Sequence, residues 1–298
     1  IPTTDNAWLD HYRLLHLLKN GGMAKVYLAY DTYTHQQVAI KVMERGRFDE
    51  ELFLGEVRSM RKLNHPHILP LLAARRSGTW NYIVMPYING GTLQDRLNKQ
   101  ILTFEEVSLI FAQLVDALQY MHSLGITHRD IKPSNILLDG NTVYLADFGI
   151  AAQQEEEIMY FDFDEPLMGT PAYMAPEMYE GEISRQGDLY ALGVVLYQMV
   201  TGSVPFDDEH AANIYWKQKT ERPLSPALLN PFISSSLEQV ILRALKREPE
   251  GRFQTATAFA LAYQKAFVPT FVERLIAIIV KTVQTMNPHR YCAACNKV

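Results

Sequence analysis

Eight residues near the middle of the chain, His128 to Asn135 (HRDIKPSN), combine a carboxylate, an ammonium group and a carboxamide. Transfer of a phosphoryl group to a hydroxyl needs a proton acceptor, a cation on the phosphate and a metal ligand, all held in register. Asp130, Lys132 and Asn135 are suited to these three roles. The later segment LADFGIA adds Asp147 as a second metal-binding carboxylate. These residues predict phosphoryl transfer, and the rest of the chain must supply a nucleotide pocket.

Length and composition limit the class of protein. With 298 residues the chain is long enough for two lobes around a cleft, since single cores stop growing near ~250–300 residues. The net charge of −5 gives no electrostatic reason to expect nucleic acid as a partner. The most apolar stretch, Leu275 to Val280, is much shorter than the ~20 residues of a membrane span. The sequence shows no signal peptide, so we expect a cytoplasmic location.

The first part of the chain has the pattern of an antiparallel sheet. Three segments within residues 12–43 (YRLLHLL, KVYLAYD and QQVAIKVM) alternate apolar and polar positions between turn signals. Gly21 and Gly22 lie in the first turn, where backbone amides could cover phosphates. A plain hairpin loop is the alternative for these glycines.

Lys41 and Glu56 form a second candidate pair. Lys41 ends the VAIK stretch of the third strand, and a buried lysine needs an anionic partner. Glu56 lies on the amphipathic segment FDEELFLGEVRSMRKLNH, which predicts a helix. An ion pair between them would position the lysine for phosphate, whereas a surface lysine and an exposed glutamate are the alternative.

A linker follows the strand predicted at 81–85. Pro86 and the glycines after it mark a boundary, and helical spacing over 104–124 and 188–200 predicts a mainly helical second part. We therefore predict an α+β fold of two lobes. The predicted division is an N-terminal extension over 1–11, an N-lobe over 12–86, a C-lobe over 87–265 and a C-terminal segment over 266–298.

Several long motifs in the right order give this chain a family resemblance. GGMAKVYLAYD, LNHPHIL, HRDIKPSNILL and GTPAYMAPE resemble the eukaryotic-type (Hanks-type) protein kinases, most of all the bacterial serine/threonine kinases, over about residues 10–265. The resemblance implies the bilobal protein kinase fold, with a small antiparallel N-lobe sheet, one regulatory helix and a larger helical C-lobe. It also implies ATP as phosphoryl donor, with Mg²⁺, or alternatively Mn²⁺, as the metal ion.

By this resemblance, Lys41 binds the α- and β-phosphates and pairs with Glu56, while Asn135 and Asp147 coordinate the metal ion. Asp130 accepts or orients the proton of the substrate hydroxyl. Lys132 neutralises the transferred phosphoryl group. Thr170 bridges Asp130 and Lys132, and Lys132 with Thr170 is typical of serine/threonine kinases.

The resemblance also implies an adenine pocket and a supporting framework. Val26, Ala39 and Leu137 sandwich the adenine ring, Met85 is the gatekeeper, and backbone groups of Pro86 and Ile88 read the adenine edge. The implied framework residues are Met60, His128 and Phe148 of a hydrophobic spine, Asp188 beneath the catalytic loop, and an ion pair of Glu177 with Arg252.

The glycine-rich loop departs from the family pattern. Lys19 stands at the first glycine place and Ala24 at the third. Lys19 adds a side chain and a charge where the chain turns over the nucleotide. We expect a modest loss of nucleotide affinity, or none if Lys19 points to solvent.

The activation segment between Gly149 and Gly169 contains no serine or threonine. Family members with an arginine at the place of Arg129 use it to bind a phosphorylated loop residue. Here the segment offers carboxylates instead, at Glu155, Glu156, Glu157, Asp162, Asp164 and Glu165. One hypothesis is that one of them meets Arg129, so that activity needs no loop phosphorylation. A solvated acidic loop is the alternative, and Tyr160 remains a candidate modification site.

The C-terminal segment carries an apolar helical face and both cysteines, Cys292 and Cys295. The apolar face packs on its own domain or on a second subunit, so a homodimer through this segment or the N-lobe is one expectation. The CxxC spacing is that of half a zinc ribbon, although Zn²⁺ takes four ligands. A second pair lies beyond Val298, or two chains share one ion, or the thiols are free. We expect the parent protein to be longer, since the chain starts at Ile1 without methionine.

The sequence leads to two hypotheses of function. The first is an active protein serine/threonine kinase acting on a protein substrate. The alternative is a pseudokinase that serves as a nucleotide-binding scaffold, motivated by Lys19 and by the missing loop phosphosite. A small-molecule kinase would not be expected to carry GTPAYMAPE, which shapes a docking surface for a polypeptide.

Overall fold

A six-stranded antiparallel sheet forms the N-terminal part of the protein. The computed structural model describes residues 7–21, 24–45, 50–148, 152–153 and 170–266. The order of strands in the sheet is β1-β2-β3-β4-β6-β5. The strands are β1 (Trp8–Leu9), β2 (Tyr12–Asn20), β3 (Lys25–Asp31), β4 (Gln36–Glu44), β5 (Ala73–Ser77) and β6 (Trp80–Pro86).

Strand β4 is buried along its VAIKVM stretch, residues 38–43. Successive side chains of a strand point to opposite faces of the sheet. Val38, Ile40 and Val42 therefore join an apolar cluster on one face. Lys41 points to the other face, which is covered by helix α1 (Glu50–Lys62).

Helix α1 presents a buried stripe to the sheet. Phe53, Val57 and Met60 follow the three-to-four spacing of one helix face, and all three are buried. Glu56 lies on the same side of the helix and is only 3% exposed. The amphipathic pattern of α1 thus places Glu56 opposite β4.

The second lobe is mainly helical. Its helices are α2 (Leu93–Leu97), α3 (Phe104–Ser123), α4 (Arg185–Thr201), α5 (Ala211–Thr220), α6 (Pro226–Leu229), α7 (Ser235–Ala244) and α8 (Ala256–Ala266). Short strands pair as β7 (Ile126–Thr127) with β10 (Ala152–Gln153), and as β8 (Ile136–Asp139) with β9 (Thr142–Leu145).

Helices α3 and α4 form the centre of this lobe. Thr103 starts α3 with a capping box, in which its hydroxyl accepts from the Glu106 amide and the Glu106 carboxylate accepts from the Thr103 amide. Helix α4 is buried on every side from Gly187 to Val200. A helix surrounded in this way is a rigid support for the loops that contact its N-terminal end.

The predicted α+β architecture of two lobes is confirmed: a small antiparallel sheet with one helix beside it, and a larger helical lobe. Among the described residues, no helix combines the length and apolar character needed to cross a membrane.

Candidate active site

The catalytic loop, residues 128–135, connects β7 to β8 and is anchored on α4. The backbone amides of His128 and Arg129 each donate to the Asp188 carboxylate over 2.9 Å. Arg129 adopts φ +69°, a left-handed conformation that a non-glycine residue keeps only where its surroundings enforce it. Burial raises the pKa of Asp188, but bonds from His122 and the loop amide outweigh this and lower the pKa. A charged Asp188 therefore holds the loop in its strained form.

The polar groups of the loop meet around Lys132. The Lys132 ammonium lies 2.7 Å from Asp130 Oδ2 and donates to Thr170 Oγ1 over 2.7 Å. Asn135 Nδ2 donates to the same Asp130 oxygen over 2.8 Å and to the Asp130 carbonyl over 2.9 Å. We expected Thr170 to bridge Asp130 and Lys132, whereas here the Lys132 ammonium is the group that contacts both other residues. The lysine side chain is long enough to reach from the catalytic loop to Thr170, so Lys132 makes the bridge.

A second group of charges connects the two lobes. Lys41 Nζ lies 2.7 and 2.9 Å from the two Glu56 carboxylate oxygens and 2.7 Å from Asp147 Oδ1. Burial lowers the pKa of Lys41, but the two carboxylates outweigh it and raise the pKa above its ordinary value. Lys41 therefore stays charged, as a phosphate ligand must be.

Lys19 also reaches this place. Its ammonium lies 3.2 Å from Asn135 Oδ1 and 3.2 Å from Asp147 Oδ2. We expected a modest loss of nucleotide affinity, or none if Lys19 points to solvent. The side chain reaches into the cleft instead of solvent, and its effect on affinity stays a prediction. A break in the β2–β3 register between Leu17 and Lys19 turns the side chain into the cleft.

Asn135 and Asp147 suit a hard divalent cation. Asn135 directs its amide donors to Asp130, so its Oδ1 is left as an acceptor in the cleft. Burial raises the pKa of Asp147, but Lys41 and Lys19 outweigh it and hold the pKa far below its ordinary value. Carboxylate and carboxamide oxygens are ligands that Mg²⁺ and Mn²⁺ prefer. The two residues are thus suited to hold a divalent metal ion.

The cleft between the lobes has a volume of about 970 Å³, including the part open to solvent. Every described residue of the predicted adenine pocket lines it: Val26, Ala39, Met85, Pro86, Ile88 and Leu137. Leu18, Leu69 and Ala146 extend these apolar walls, and sequence reasoning did not find them. Leu18 could have been suspected, because it directly precedes Lys19 of the glycine-rich loop. In a regular strand, however, only one of these two neighbours would face the cleft.

The described part of the glycine-rich loop is its base. The Gly21 amide donates to the Ala24 carbonyl over 3.0 Å, which closes a tight turn. A Cβ on Gly21 would lie 3.1 Å from that carbonyl oxygen, so the turn favours a small residue here. Gly22 lies outside the described residues.

Phe148 belongs to the packing behind the site. Its side chain is fully buried and its ring lies 4.9 Å from the His128 ring, between centroids. Met60 of α1 is buried in the same core cluster. Two other predicted regulatory residues, Glu155 and Tyr160, lie outside the described residues.

Zinc was one of the alternatives left open for Cys292 and Cys295, which also lie outside the described residues. Within the described part of the chain, no group of three or more His, Cys, Asp or Glu side chains is arranged to hold a metal ion.

The segment after Thr170 is tied to the helical lobe. Gln218 Nε2 donates to the Met174 carbonyl over 3.1 Å, and the Tyr173 hydroxyl donates to Gln198 over 2.6 Å. The Glu177 carboxylate receives two bonds of 2.6 and 2.7 Å from the fully buried Arg252. These contacts build a fixed surface beside Asp130.

Comparisons with known proteins agree with this geometry. The family described as "Protein kinase domain" matches residues 12–264. Serine/threonine-protein kinase PknB of Mycobacterium tuberculosis is 34% identical over 265 residues, which cover 85% of this chain and 42% of PknB. Serine/threonine-protein kinase PrkC of Bacillus subtilis is 34% identical over 264 residues, which cover 86% of this chain and 40% of PrkC. The chain thus spans about two fifths of the length of these curated relatives.

Proposed function

The chain belongs to the protein kinase family, and from this premise we propose that it is an active serine/threonine protein kinase, which transfers the γ-phosphoryl group of ATP to a hydroxyl of a protein substrate. The proposal is carried by one observation. Lys41, Asn135 and Asp147 line a single cleft, where Lys41 contacts the Asp147 carboxylate. Asp130 contacts both Asn135 and Lys132, which joins the catalytic loop to this cleft.

Each residue has a role in the proposed reaction. Lys41 binds the α- and β-phosphates, and the carboxylates of Glu56 and Asp147 keep its ammonium in place. Asp130 orients the acceptor hydroxyl and takes its proton late, since a carboxylate is a weak base. Lys132 then neutralises charge on the transferred phosphoryl group from its position between Asp130 and Thr170.

A divalent metal ion, Mg²⁺ or Mn²⁺, would supply positive charge on the β- and γ-phosphate oxygens. Asn135 and Asp147 are the residues that would hold it. The adenine ring is proposed to lie between Val26, Ala39 and Leu137, with the backbone of Pro86 and Ile88 at its edge. Proline at the first hinge position keeps the carbonyl that this role needs.

We propose serine and threonine as acceptors because Lys132 and Thr170, a pair typical of serine/threonine kinases, are in contact over 2.7 Å. The fixed surface after Thr170 supports a polypeptide substrate rather than a small molecule. Self-association through the N-lobe or the C-terminal segment, and a cytoplasmic location, remain proposals as well.

Activity is further proposed not to need phosphorylation of a serine or threonine in the activation segment. Arg129 Nε donates to the Thr127 hydroxyl over 3.4 Å, and Thr127 pairs with Ala152 at the start of that segment. In the sequence Glu155 follows Ala152 by three residues. The acidic run begins three residues after the residue that pairs with Thr127, and this connection supports a carboxylate as the partner of Arg129.

Phosphatase-treated protein tests this proposal directly. We expect it to keep full transfer activity, because no phosphate is required. Replacing Glu155, Glu156 and Glu157 together by Gln should lower transfer at least about tenfold, the equivalent of one charge-assisted hydrogen bond. Arg129→Ala should have a similar effect, with the exposed Arg222→Ala as control. Full activity in Arg129→Ala would contradict the proposal.

A second candidate function is a nucleotide-binding scaffold without transfer. One observation favours it, the contact of Lys19 with both proposed metal ligands. Nucleotide binding and transfer measured side by side distinguish the two functions. The kinase proposal predicts transfer to a generic protein substrate, reduced about 10²–10⁴-fold in Asp130→Asn with nucleotide affinity retained. Intact nucleotide binding with no transfer by the wild-type chain would favour the scaffold.

A further inference from the structure

Lys19 connects the glycine-rich loop to the two proposed metal ligands. Its ammonium lies 3.2 Å from both Asn135 Oδ1 and Asp147 Oδ2, although these residues are 116 and 128 positions away in the chain. The side chain is 45% exposed, so it enters from the open side of the cleft.

The local backbone explains this direction. In a regular strand, neighbours such as Leu18 and Lys19 would point to opposite faces. Both line the cleft, because the register with β3 shifts between Leu17 and Lys19. A register break of this kind re-aims a side chain, and here it places a cation where the family pattern has a glycine.

The other hydrogen bonds of Asn135 and Asp147 use different atoms from the two oxygens that Lys19 contacts. Asn135 uses its amide donors on Asp130, which fixes Oδ1 as the group presented to the cleft. Asp147 binds Lys41 through Oδ1, so Oδ2 is the oxygen left for a second cation. Asp147 has φ +68°, a strained backbone that holds this carboxylate in place.

These two oxygens belong to the residues that hold two divalent ions in the general kinase scheme. A divalent ion bound to both of these oxygens would lie at contact distance from the Lys19 ammonium, and the two positive charges would repel each other. The ammonium has three donors. Two of them are directed at Asn135 and Asp147, and the third is available to a phosphate oxygen.

We propose that the Lys19 ammonium takes the place of one of the two divalent cations, so that the nucleotide complex of this protein contains a single metal ion. The inference rests on the proposed nucleotide and metal site, and it makes Lys19 a nucleotide-site residue. Asp147 and the phosphates would hold the remaining ion.

Counting bound metal tests the proposal without measuring turnover. The chain is saturated with the non-hydrolysable analogue adenylyl-imidodiphosphate, and Mn²⁺ is titrated with free ion followed by electron paramagnetic resonance. We expect one Mn²⁺ per nucleotide complex in the wild type and two in Lys19→Met, which keeps the length of the side chain but removes its charge. Lys19→Gly, which restores the family residue, should also bind two.

Two controls separate charge from loop structure. Lys19→Arg keeps a cation and should bind one ion. Lys25→Met changes the other lysine of the same turn, which does not line the cleft, and should also bind one. Two ions in the wild-type complex, or one ion in both Lys19→Met and Lys19→Gly, would overturn the assignment while nucleotide binding stays intact. Failure of the wild type to bind the nucleotide at all would overturn the proposed function together with it.

Discussion

His128 is held in one neutral tautomer. Its Nδ1 accepts from the Asp130 amide over 3.3 Å, and its Nε2 donates to the Ala146 carbonyl over 3.2 Å. The first bond needs an unprotonated nitrogen and the second a protonated one, so a doubly protonated ring would lose a bond. Burial lowers the pKa of His128 from its ordinary value, although nearby carboxylates oppose this.

A pH-dependent stability follows from this environment. The unfolded chain takes up the His128 proton near pH ~6.5, before the folded protein does, so stability is lost as pH falls from there through the lower folded pKa. Denaturant unfolding at pH 5–7.5 should give the wild type a slope steeper than that of His128→Phe, by up to about 1.4 kcal/mol per pH unit. Burial also lowers the pKa of His65, but both proteins contain this residue, so it contributes equally to the two slopes. Equal slopes would contradict the assignment.

Arg252 provides a second test. Its fully buried guanidinium donates to Glu177 and to the carbonyls of Lys246, Arg247 and Gln186. Arg252→Met leaves the Glu177 carboxylate buried without its cation, so we expect a loss of about 3–5 kcal/mol in the free energy of unfolding. The exposed Arg222→Met should change it by less than about 0.5 kcal/mol. A small loss for Arg252→Met would show that Glu177 is hydrated or re-paired.

The family resemblance implied the contacts of Lys41 with Glu56 and of Glu177 with Arg252, and both are present in the structure. The contacts of Lys19 could not be predicted in this way. Its position depends on a register break in one hairpin, and its contacts lie on another lobe. Neither appears in the local pattern, so the sequence indicated only a departure from glycine.

The hinge between the lobes is packed backbone to backbone. Gly91 accepts from the Leu138 amide over 2.9 Å, which joins the hinge to β8. A Cβ on Gly90 would come within 1.9 Å of the Leu138 carbonyl oxygen. Only glycine therefore fits between the hinge and β8 without moving one of them.

Two alanine substitutions should change the free energy of unfolding in opposite directions. Gly90→Ala forces the hinge away from β8, so we expect a loss of about 1–3 kcal/mol, as for other overpacked sites. Gly55→Ala adds a methyl group within α1 where nothing lies within 4 Å. It should stabilise the protein by up to about 1 kcal/mol through helix propensity. Thermal unfolding of both variants measures this, and equal shifts would contradict the packing of the hinge.

Strands β2 to β4 were predictable as elements, because their apolar and polar residues alternate and turn signals at Gly21 and around Thr34 separate them. Helix α4 was placed by its apolar spacing, although its start at Arg185 lay before the predicted 188. Its all-round burial gives no polar face from which the sequence could orient it. The support of the catalytic loop by Asp188 was available only through the family resemblance.

The cleft is built from both lobes. Lys41 and Glu56 come from the sheet and α1, whereas Asn135 and Asp147 come from the loops around β8 and β9. We propose that the division between the lobes falls between residues 86 and 87. The segment predicted as an extension at 1–11 contains β1, which pairs with β2 in the sheet, and the segment predicted at 266–298 begins at the last residue of α8. Sequence reasoning reached this architecture because Pro86 and the glycines after it separate a strand-rich part of the chain from a helical part.

A ligand that contacts both lobes should stabilise the whole molecule. Mg²⁺ with adenylyl-imidodiphosphate at 100 times its dissociation constant should raise the free energy of unfolding by about 2.7 kcal/mol. Lys41→Met, tested at the same nucleotide concentration, should show a smaller increase because a phosphate ligand is missing. Denaturant titration with and without nucleotide measures both. An unchanged midpoint for the wild type would contradict nucleotide binding in this cleft.

Phosphoryl transfer itself is the most direct test of the central claim. The purified chain is incubated with γ-labelled ATP, Mg²⁺ and three peptides that differ only in a serine, threonine or tyrosine acceptor, beside Asp130→Asn. We predict label on the serine and threonine peptides, none on tyrosine, and a loss of about 10²–10⁴-fold in the variant. Label on none of the peptides or other proteins, or equal transfer by the wild type and Asp130→Asn, would contradict the account.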